Sequence, residues 1–145
     1  MPDLNSANLD EIIGLLKLQS HPEGGYYRET FRDSKRIDGR SASTAIYFLL
    51  KRGEVSRWHR IDAVEVWHWY GGAPIRLQIQ MENGPIETVL LGPDLFKNER
   101  PQAIVPAHAW QTAESLGEWT LAGCTVAPGF EFEHFELLHG STKNR

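Results

Sequence analysis

Two side chains in the middle of the chain have the chemistry to move protons. His59 carries an imidazole, which titrates near neutral pH and can act as a general acid or base. Glu65 stands inside an aromatic stretch, residues 64–70, where burying a carboxylate without a partner would be costly. Burial should raise the pKa of Glu65 unless a nearby cation offsets it. We therefore take His59 and Glu65 as the candidate catalytic residues.

The residues around Glu65 indicate a binding cavity. In an extended strand Glu65, Trp67 and Trp69 point to one face, and His68 points to the other. A carboxylate beside indole rings is the mixture of polar and apolar groups from which ligand pockets are usually built. Trp67 is thus a candidate ligand-binding residue, and so is Trp110 further along the chain.

Each candidate also has a structural interpretation that the sequence leaves open. His59 could hydrogen-bond a strand end, and Glu65 could form an ion pair with Arg28 or Arg76. Any single tryptophan is explained equally well as part of the core. His21, which precedes a glycine-rich turn, could belong to a loop or to a lid.

The elements that must position these residues are mostly short strands. β-Rich runs alternate with turn signals at intervals of roughly ten residues, which is typical of a sandwich or closed barrel. No helical pattern separates the runs, so a parallel α/β fold is disfavoured. The predicted strands cover residues 25–31, 43–50, 64–70, 74–81, 86–91, 102–105 and 119–127.

One amphipathic helix precedes the strands. Apolar residues at positions 9, 12, 13 and 16 recur at helical spacing, and we expect their stripe to pack against the outside of the barrel. Ser6 or Asn8 could cap this helix, and Pro22 could end it.

The chain reads as a single domain over residues 1–145, because it shows no repeat, linker or low-complexity stretch. The leading helix falls within residues 1–20 and the barrel within residues 24–128. The tail, residues 129–145, could form a final short helix or an irregular segment that closes the barrel mouth.

The bulk composition excludes several classes of function. The 145 residues are 41% hydrophobic and 23% charged, which is ordinary for a soluble globular protein. The net charge of -4 comes from acidic and basic residues mixed along the chain, without the basic stripe that nucleic-acid binding requires. Nucleic acid is therefore not an expected partner.

The sequence also predicts a cytoplasmic location. Residues 1–10 lack the basic start and apolar run of a signal peptide, and apolar stretches of about eight residues are too short to span a bilayer. The single cysteine, Cys124, cannot form an intramolecular disulfide, which fits a reducing compartment. We expect no membrane partner.

The spacing of glycine, histidine and glutamate in the central stretch resembles the first motif of the cupins. Gly53, His59, Glu65 and Gly72 all fall on that spacing, and Ile61 stands where the motif has its second His. The resemblance implies an all-β fold of the cupin type, a double-stranded β-helix or jelly-roll barrel, with one N-terminal α-helix packed outside.

Residues 104–111 resemble the second cupin motif. Pro106 is in place, His108 stands where the motif usually has Gly, and Gln111 takes the position of its His. The resemblance therefore makes Gln111 a candidate pocket-lining residue.

The two motifs together bear on metal binding. By resemblance, His59, Glu65 and Gln111 occupy three of the usual cupin metal positions. One imidazole, one carboxylate and a neutral amide make a poor ligand set for zinc, iron or copper. We expect no metal cofactor, and these three residues are only weak candidate ligands.

Residues 24–32 are similar to the first barrel strand of the metal-free sugar-nucleotide epimerases among the cupins. Those enzymes remove a proton beside the carbonyl of a nucleotide-linked keto-sugar, and this strand helps to hold the nucleotide. The resemblance makes Arg28 and Glu29 candidate ligand-binding residues. As neighbours on one strand they face opposite ways, so only one of them can line the pocket.

Three hypotheses follow. The first is a metal-independent cupin that binds a polar or nucleotide- or sugar-like ligand, with epimerisation or isomerisation through His59 and Glu65 as the reaction to test. The second is a metal-dependent enzyme that uses His59, Glu65 and Gln111. The third is a binding or sensing protein without turnover, so whether the chain is an enzyme stays open. We also expect a homodimer, because a partner would cover exposed strand edges.

Overall fold

The protein is described here by a computed structural model over residues 8–138. A single helix, α1 (Leu9–Leu16), precedes the strands in this part of the chain. Short 3₁₀ turns cover Leu95–Lys97 and Phe132–His134. The strands are β1 (Gln19–Ser20), β2 (Tyr26–Arg32), β3 (Arg36–Ile37), β4 (Arg40–Ser41), β5 (Thr44–Lys51), β6 (Val55–Ile61), β7 (Val64–Gly72), β8 (Ile75–Gln80), β9 (Ile86–Leu91), β10 (Glu99–Arg100), β11 (Gln102–Val105), β12 (Trp110–Ser115), β13 (Trp119–Ala127) and β14 (Phe135–Leu137).

Two six-stranded sheets face each other. The first sheet has the order β1-β2-β5-β13-β7-β11, and the second has the order β10-β9-β8-β12-β6-β14. Apart from the short parallel pair β9–β10, the neighbouring strands in both sheets are antiparallel. The core between the sheets is built around Phe48, Trp67, Ile75 and Leu77. This arrangement confirms the predicted all-β jelly-roll barrel.

Helix α1 packs on the outer face of the first sheet, as predicted. Its buried Ile12 belongs to the same apolar cluster as Leu49, Trp119 and Leu121 of the sheet. Within residues 8–138 no helix is long and apolar enough to cross a membrane.

The two ends of α1 are set by local hydrogen bonds and backbone conformation. Asn8 caps the first turn, since the amide of Glu11 donates to Asn8 Oδ1 at 2.8 Å. The other candidate cap, Ser6, lies outside the described residues. The predicted end at Pro22 was wrong, because Lys17 adopts the left-handed conformation at φ 57° and the next residues form β1.

The predicted strands are all present, with ends shifted by at most two residues, but two long strands were missed. Strand β6 turns Ser56 and His59 inward, and strand β12 turns Gln111 inward. Polar residues at inward positions remove the apolar alternation by which a strand is recognised. His59 therefore lies within a strand that the sequence pattern did not predict.

The two glycines of the first motif predict a contrast in stability. Both have positive φ, but a Cβ at Gly72 would lie 2.5 Å from the carbonyl oxygen of Trp119, whereas one at Gly53 meets nothing within 4 Å. Gly53→Ala should cost about 1 kcal/mol of unfolding free energy from backbone strain alone. Gly72→Ala should cost about 2–4 kcal/mol, because overpacking is added to the strain. Urea unfolding of both variants measures the difference, and equal losses would contradict the clash.

Candidate functional site

A cavity of about 200 Å³ lies inside the barrel. Its lining includes His59 and Glu65 from the sequence analysis, together with several residues that the sequence analysis did not select. Three lining residues remain exposed and so form the rim: Gln19, Glu29 and Phe132. The remaining lining residues are His21, Glu23, Tyr27, Thr44, Ile46, Ile61, Cys124, Val126 and Phe130.

His59 forms a buried ion pair with Glu23. The imidazole Nδ1 lies 2.6 Å from Glu23 Oε2, and the two side chains are only 5% and 7% exposed. The same Nδ1 lies 2.7 Å from the carbonyl oxygen of Arg57, which takes the aligned hydrogen bond. Nδ1 therefore lies within hydrogen-bonding distance of two acceptors, and both charge and this short contact stabilise the pair with Glu23.

The charges of this pair shift both pKa values. Burial is the largest influence on the pKa of His59 and lowers it, but the charge of Glu23, the hydrogen bond to Glu23 and smaller contributions from Glu65 and the Arg57 carbonyl together raise the pKa. Burial is also the largest influence on the pKa of Glu23 and raises it, but the charge of His59, hydrogen bonds from His59 and Ser56 and the charge of His21 together lower the pKa. Both shifts favour an imidazolium beside a carboxylate.

His21 supports the pair from the other side of Glu23. The amide of Glu23 donates to His21 Nδ1 at 3.0 Å, so this ring nitrogen is an acceptor and the neutral tautomer carries its proton on Nε2. Burial lowers the pKa of His21, which agrees with a neutral ring. The ring packs edge-on against Tyr27, with centroids 4.6 Å apart. His21 therefore belongs to the cavity wall.

Gln111 links Glu65 to the core. Gln111 Nε2 donates to Glu65 Oε1 at 2.7 Å, and Gln111 Oε1 accepts from Trp67 Nε1 at 3.0 Å. An indole N–H can only donate, so it fixes which end of the amide faces Glu65. Gln111 also pairs with His59 across β12 and β6, which brings the two candidate catalytic residues to the same part of the barrel.

Burial raises the pKa of Glu65, and the charge of Glu23 adds to this effect although His59 opposes it. Burial also raises the pKa of Cys124, well above its ordinary value, and Glu65 adds to that shift. Cys124 is therefore a neutral thiol in the cavity wall. Glu65 is a carboxyl group whose ionised form is a stronger base than that of an exposed glutamate.

The segment after β13 closes one side of the cavity. Phe130 and Phe132 line it, and the ring of Phe135 stacks on the imidazole of His59 with centroids 5.4 Å apart. The backbone of this segment is held by arginines: Arg32 donates to the carbonyl of Phe130, and Arg40 donates to the carbonyl of Gly129. For this tail the sequence left open a final short helix or an irregular segment that closes the barrel mouth, and residues 129–138 contain a 3₁₀ turn followed by strand β14. Residues 139–145 lie outside the described chain.

The structure separates the predicted ligand-binding residues. Glu29 lies on the rim, whereas Arg28 faces outward and donates to the carbonyl of Leu16 at 3.5 Å. Placing Arg28 in the pocket was therefore wrong, because alternation on β2 gives that side to its neighbour. Arg28 is also not the cation beside Glu65.

The two predicted tryptophans lie outside the cavity lining as well. Trp67 is buried in the core, where it supports Gln111 and packs edge-on against Phe48. Trp110 lies on the outer face of the second sheet, where the guanidinium of Arg60 sits 4.6 Å from the centre of its ring. The prediction that Trp67 and Trp110 contact the ligand directly is therefore wrong for this cavity.

Glu23 is the functional residue that sequence reasoning missed. It lies 36 positions before His59 in the chain, and no motif spacing connects them. The only local signal is a carboxylate beside Gly24, whose φ of 110° turns the chain sharply into β2. A Cβ at Gly24 would lie 2.5 Å from the carbonyl oxygen of Val55, so this turn packs directly on β6.

Comparison with known proteins identifies the family. The family model described as Cupin superfamily (DUF985) matches residues 10–138. The chain belongs to the cupin superfamily. It is 26% identical to the uncharacterized protein YML079W of Saccharomyces cerevisiae, over 97% of this chain and 79% of that protein.

Solved structures with the same fold agree with this assignment. Protein SO0799 of Shewanella oneidensis is 39% identical, with a TM-score of 0.88 over 91% of this chain and 85% of that chain. A hypothetical protein of Leishmania major is 30% identical, with a TM-score of 0.84 over 91% of this chain and 88% of that chain. Oxalate decarboxylase of Bacillus subtilis is 18% identical, with a TM-score of 0.64 over 82% of this chain and 29% of that chain. This last likeness shows the fold alone.

The residues at the usual cupin metal positions do not suit a metal in this chain. Ile61 offers no donor atom, and the amide oxygen of Gln111 already accepts from Trp67. His59 directs Nδ1 at Glu23 and at a backbone carbonyl. Within residues 8–138, the only three His, Cys, Asp or Glu ligand atoms that lie within 4.8 Å of one another belong to Glu131, Glu133 and His134, outside the cavity lining.

Proposed function

We propose that this cupin binds a small polar molecule in the barrel cavity and moves a proton beside its carbonyl group, as an epimerase or isomerase does. The observation that carries the proposal is the buried His59–Glu23 ion pair, which lines the same cavity as a carboxyl group with a raised pKa, Glu65. Groups with opposed pKa environments in one pocket are typical of acid–base catalysis.

The roles follow from the charges. Ionised Glu65 takes the proton from the carbon next to the carbonyl, and the electron pair of the broken C–H bond moves toward the carbonyl oxygen. The imidazolium of His59 donates a proton to that oxygen and gives an enediol. To give the isomer, protonated Glu65 returns its proton to the neighbouring carbon while neutral His59 takes the proton of the other enediol hydroxyl, which restores both groups. To give the epimer, a solvent proton adds to the opposite face while His59 takes back the proton that it gave, and Glu65 releases its proton to solvent. Glu23 is a positioning residue that keeps His59 protonated.

Solvent exchange tests the proposal. A panel of hydroxyketones, free keto-sugars and nucleotide-linked keto-sugars is first screened for binding by ligand-observed NMR. Compounds that bind are then incubated with the protein in D₂O. We expect deuterium at the carbon beside the carbonyl with the wild type, and a loss of about 10²–10⁴-fold in rate with His59→Ala.

His68→Ala is the matched control, because His68 lies on the outer side of β7 and contacts Thr125. This variant should exchange at the wild-type rate. Binding without deuterium incorporation between pH 5 and 9 would refute catalysis and leave a binding or sensing protein. The homodimer and the cytoplasmic location expected from the sequence stay predictions.

A further inference from the structure

The size of the cavity limits the ligand that it can enclose. A volume of about 200 Å³ is available inside the barrel. A 150 Å³ apolar protein cavity holds benzene, which has six non-hydrogen atoms, so at the same density this one encloses about eight. That is the size of a small monosaccharide, and a longer sugar would extend past the exposed rim. A nucleotide-linked sugar, which adds a base, a ribose and two phosphates, is several times larger.

The charge of the lining argues against a phosphate group. Glu23, Glu29 and Glu65 line the cavity, and none of the described lining residues is an arginine or a lysine. Phosphates in proteins are held by arginine, lysine or a helix N-terminus. Two of these carboxylates are paired with His59 and Arg32, so the described lining offers no unpaired cation to balance the charge of an anion, and Glu65 would oppose it.

Arg32 and Arg40, the two arginines that hold the segment after β13, already have carboxylate partners. Arg32 forms two hydrogen bonds with the carboxylate of Glu29, at 2.9 and 2.7 Å, besides its bond to the Phe130 carbonyl. Arg40 forms two with Asp62, both at 2.9 Å. Either arginine would have to give up a bidentate carboxylate partner before it could bind a phosphate.

The positive charge of His59 argues against a cationic ligand in the same way. Its partner Glu23 is already neutralised by it, and Glu29 is neutralised by Arg32. Glu65 is the remaining carboxylate of the lining, and a ligand ammonium group beside it would also face the imidazolium of His59.

The polar groups of the cavity wall indicate what the ligand donates. The carboxylates of Glu23 and Glu65 belong to the lining, and carboxylate oxygens accept hydrogen bonds from hydroxyl groups. The ring of Phe132 on the rim can cover the apolar face of a sugar.

We infer that the site takes an uncharged hydroxylated carbonyl compound of monosaccharide size, and that it rejects the phosphorylated and nucleotide-linked forms. This inference rests on the acid–base function proposed above and narrows its substrate class. It also departs from the nucleotide-linked ligand that the resemblance to the epimerases implied.

Paired probes test the inference by isothermal titration calorimetry. The free sugars are ribulose, xylulose and fructose, and each is compared with its terminal phosphate ester and with thymidine diphosphate glucose. We expect at least one free sugar to bind, with its phosphate ester at least about tenfold weaker, because like charges at a binding site are strongly unfavourable. Tighter binding of a phosphate ester or of the nucleotide sugar overturns the inference, and so does a lack of binding by all three free sugars.

A rim variant tests whether the lining causes the selectivity against phosphate esters. Glu29→Gln removes one carboxylate from the rim and frees Arg32, so it should bring the phosphate ester closer in affinity to the free sugar. Glu118→Gln, an exposed position outside the cavity lining, should leave the ratio unchanged. An unchanged ratio in Glu29→Gln would show that the rim does not exclude phosphate.

The readouts keep the two proposals apart. A phosphate ester that binds more tightly and exchanges deuterium refutes the substrate class but supports the acid–base function. A free sugar that binds selectively without exchange supports the ligand class but refutes the reaction.

Discussion

Glu23→Gln is expected to lower the pKa of His59 and to destabilise the protein by about 3 kcal/mol at pH 6, since removing one member of a buried ion pair leaves the other charge uncompensated. The side chains of both residues are less than a tenth exposed, so solvent screens the pair little. The pKa of His59 is read from its ring proton shifts by NMR, and the stability from urea unfolding. Solvent exchange should fall as well, because the neutral imidazole that replaces the imidazolium is a poorer acid.

The stability lost in Glu23→Gln should depend on pH, and the two pKa shifts determine how. The pKa of His59 is raised from its ordinary 6.5, so its contribution is complete below that value and disappears as pH rises through the folded pKa. The pKa of Glu23 is lowered from its ordinary 4.5, so its contribution is complete above that value and disappears as pH falls through the folded pKa. The difference in unfolding free energy between the wild type and Glu23→Gln should therefore be largest between pH 4.5 and pH 6.5.

Glu29→Gln is the matched control for this experiment. Glu29 lies on the cavity rim and its carboxylate is paired with Arg32, not with His59. It should leave the pKa of His59 nearly unchanged. If Glu23→Gln also left that pKa unchanged, the ion pair would not be what holds the proton on His59.

Glu65→Gln is expected to keep the ligand and lose the reaction. The amide oxygen of a glutamine can still accept from Gln111 Nε2, so the geometry of the wall should persist. An amide cannot take a proton from carbon, and loss of a general base typically costs about 10²–10⁴-fold in rate. Titration calorimetry measures the affinity, and deuterium incorporation measures the rate.

The pH profile gives a second measure of the role of Glu65. In the wild type the exchange rate should rise as Glu65 ionises, at a pKa above its ordinary 4.5, and fall as His59 loses its proton, at a pKa above its ordinary 6.5. The rising limb should be absent from any residual activity of Glu65→Gln. Wild-type exchange by this variant would assign the base to another residue.

The barrel could be predicted because most of its strands carry an apolar pattern. Strand β7 alternates as expected, with Glu65 and Trp67 buried and Val64 exposed. Strand β6 could not be recognised in this way, since it presents His59 and Ser56 to the interior and Arg57 to solvent. The interior positions of a ligand-binding barrel are polar where the ligand sits, so pattern reasoning fails at the site itself.

Two residues of the candidate site could likewise be predicted from the sequence. His59 and Glu65 stand at motif spacing and both line the cavity. Glu23 and His21 reach the cavity only through pairing between distant strands and a glycine turn, which no local pattern reports. Trp110 was misplaced because alternation assigns a face but cannot tell which face is inward when both carry polar and aromatic residues.

Strand β14 pairs with β6 next to His59, so any movement that opens the cavity also changes the electrostatic environment of the ion pair. Leu137 pairs with His59 across these strands, and Phe135 covers the imidazole. Any displacement of this segment that admits a molecule also admits water to the ion pair. The local dielectric constant then rises and the attraction between His59 and Glu23 weakens. A closed site is therefore charged and dry, whereas opening weakens both the attraction to Glu23 and the burial that opposes it, so timing of entry and acid strength cannot be tuned independently.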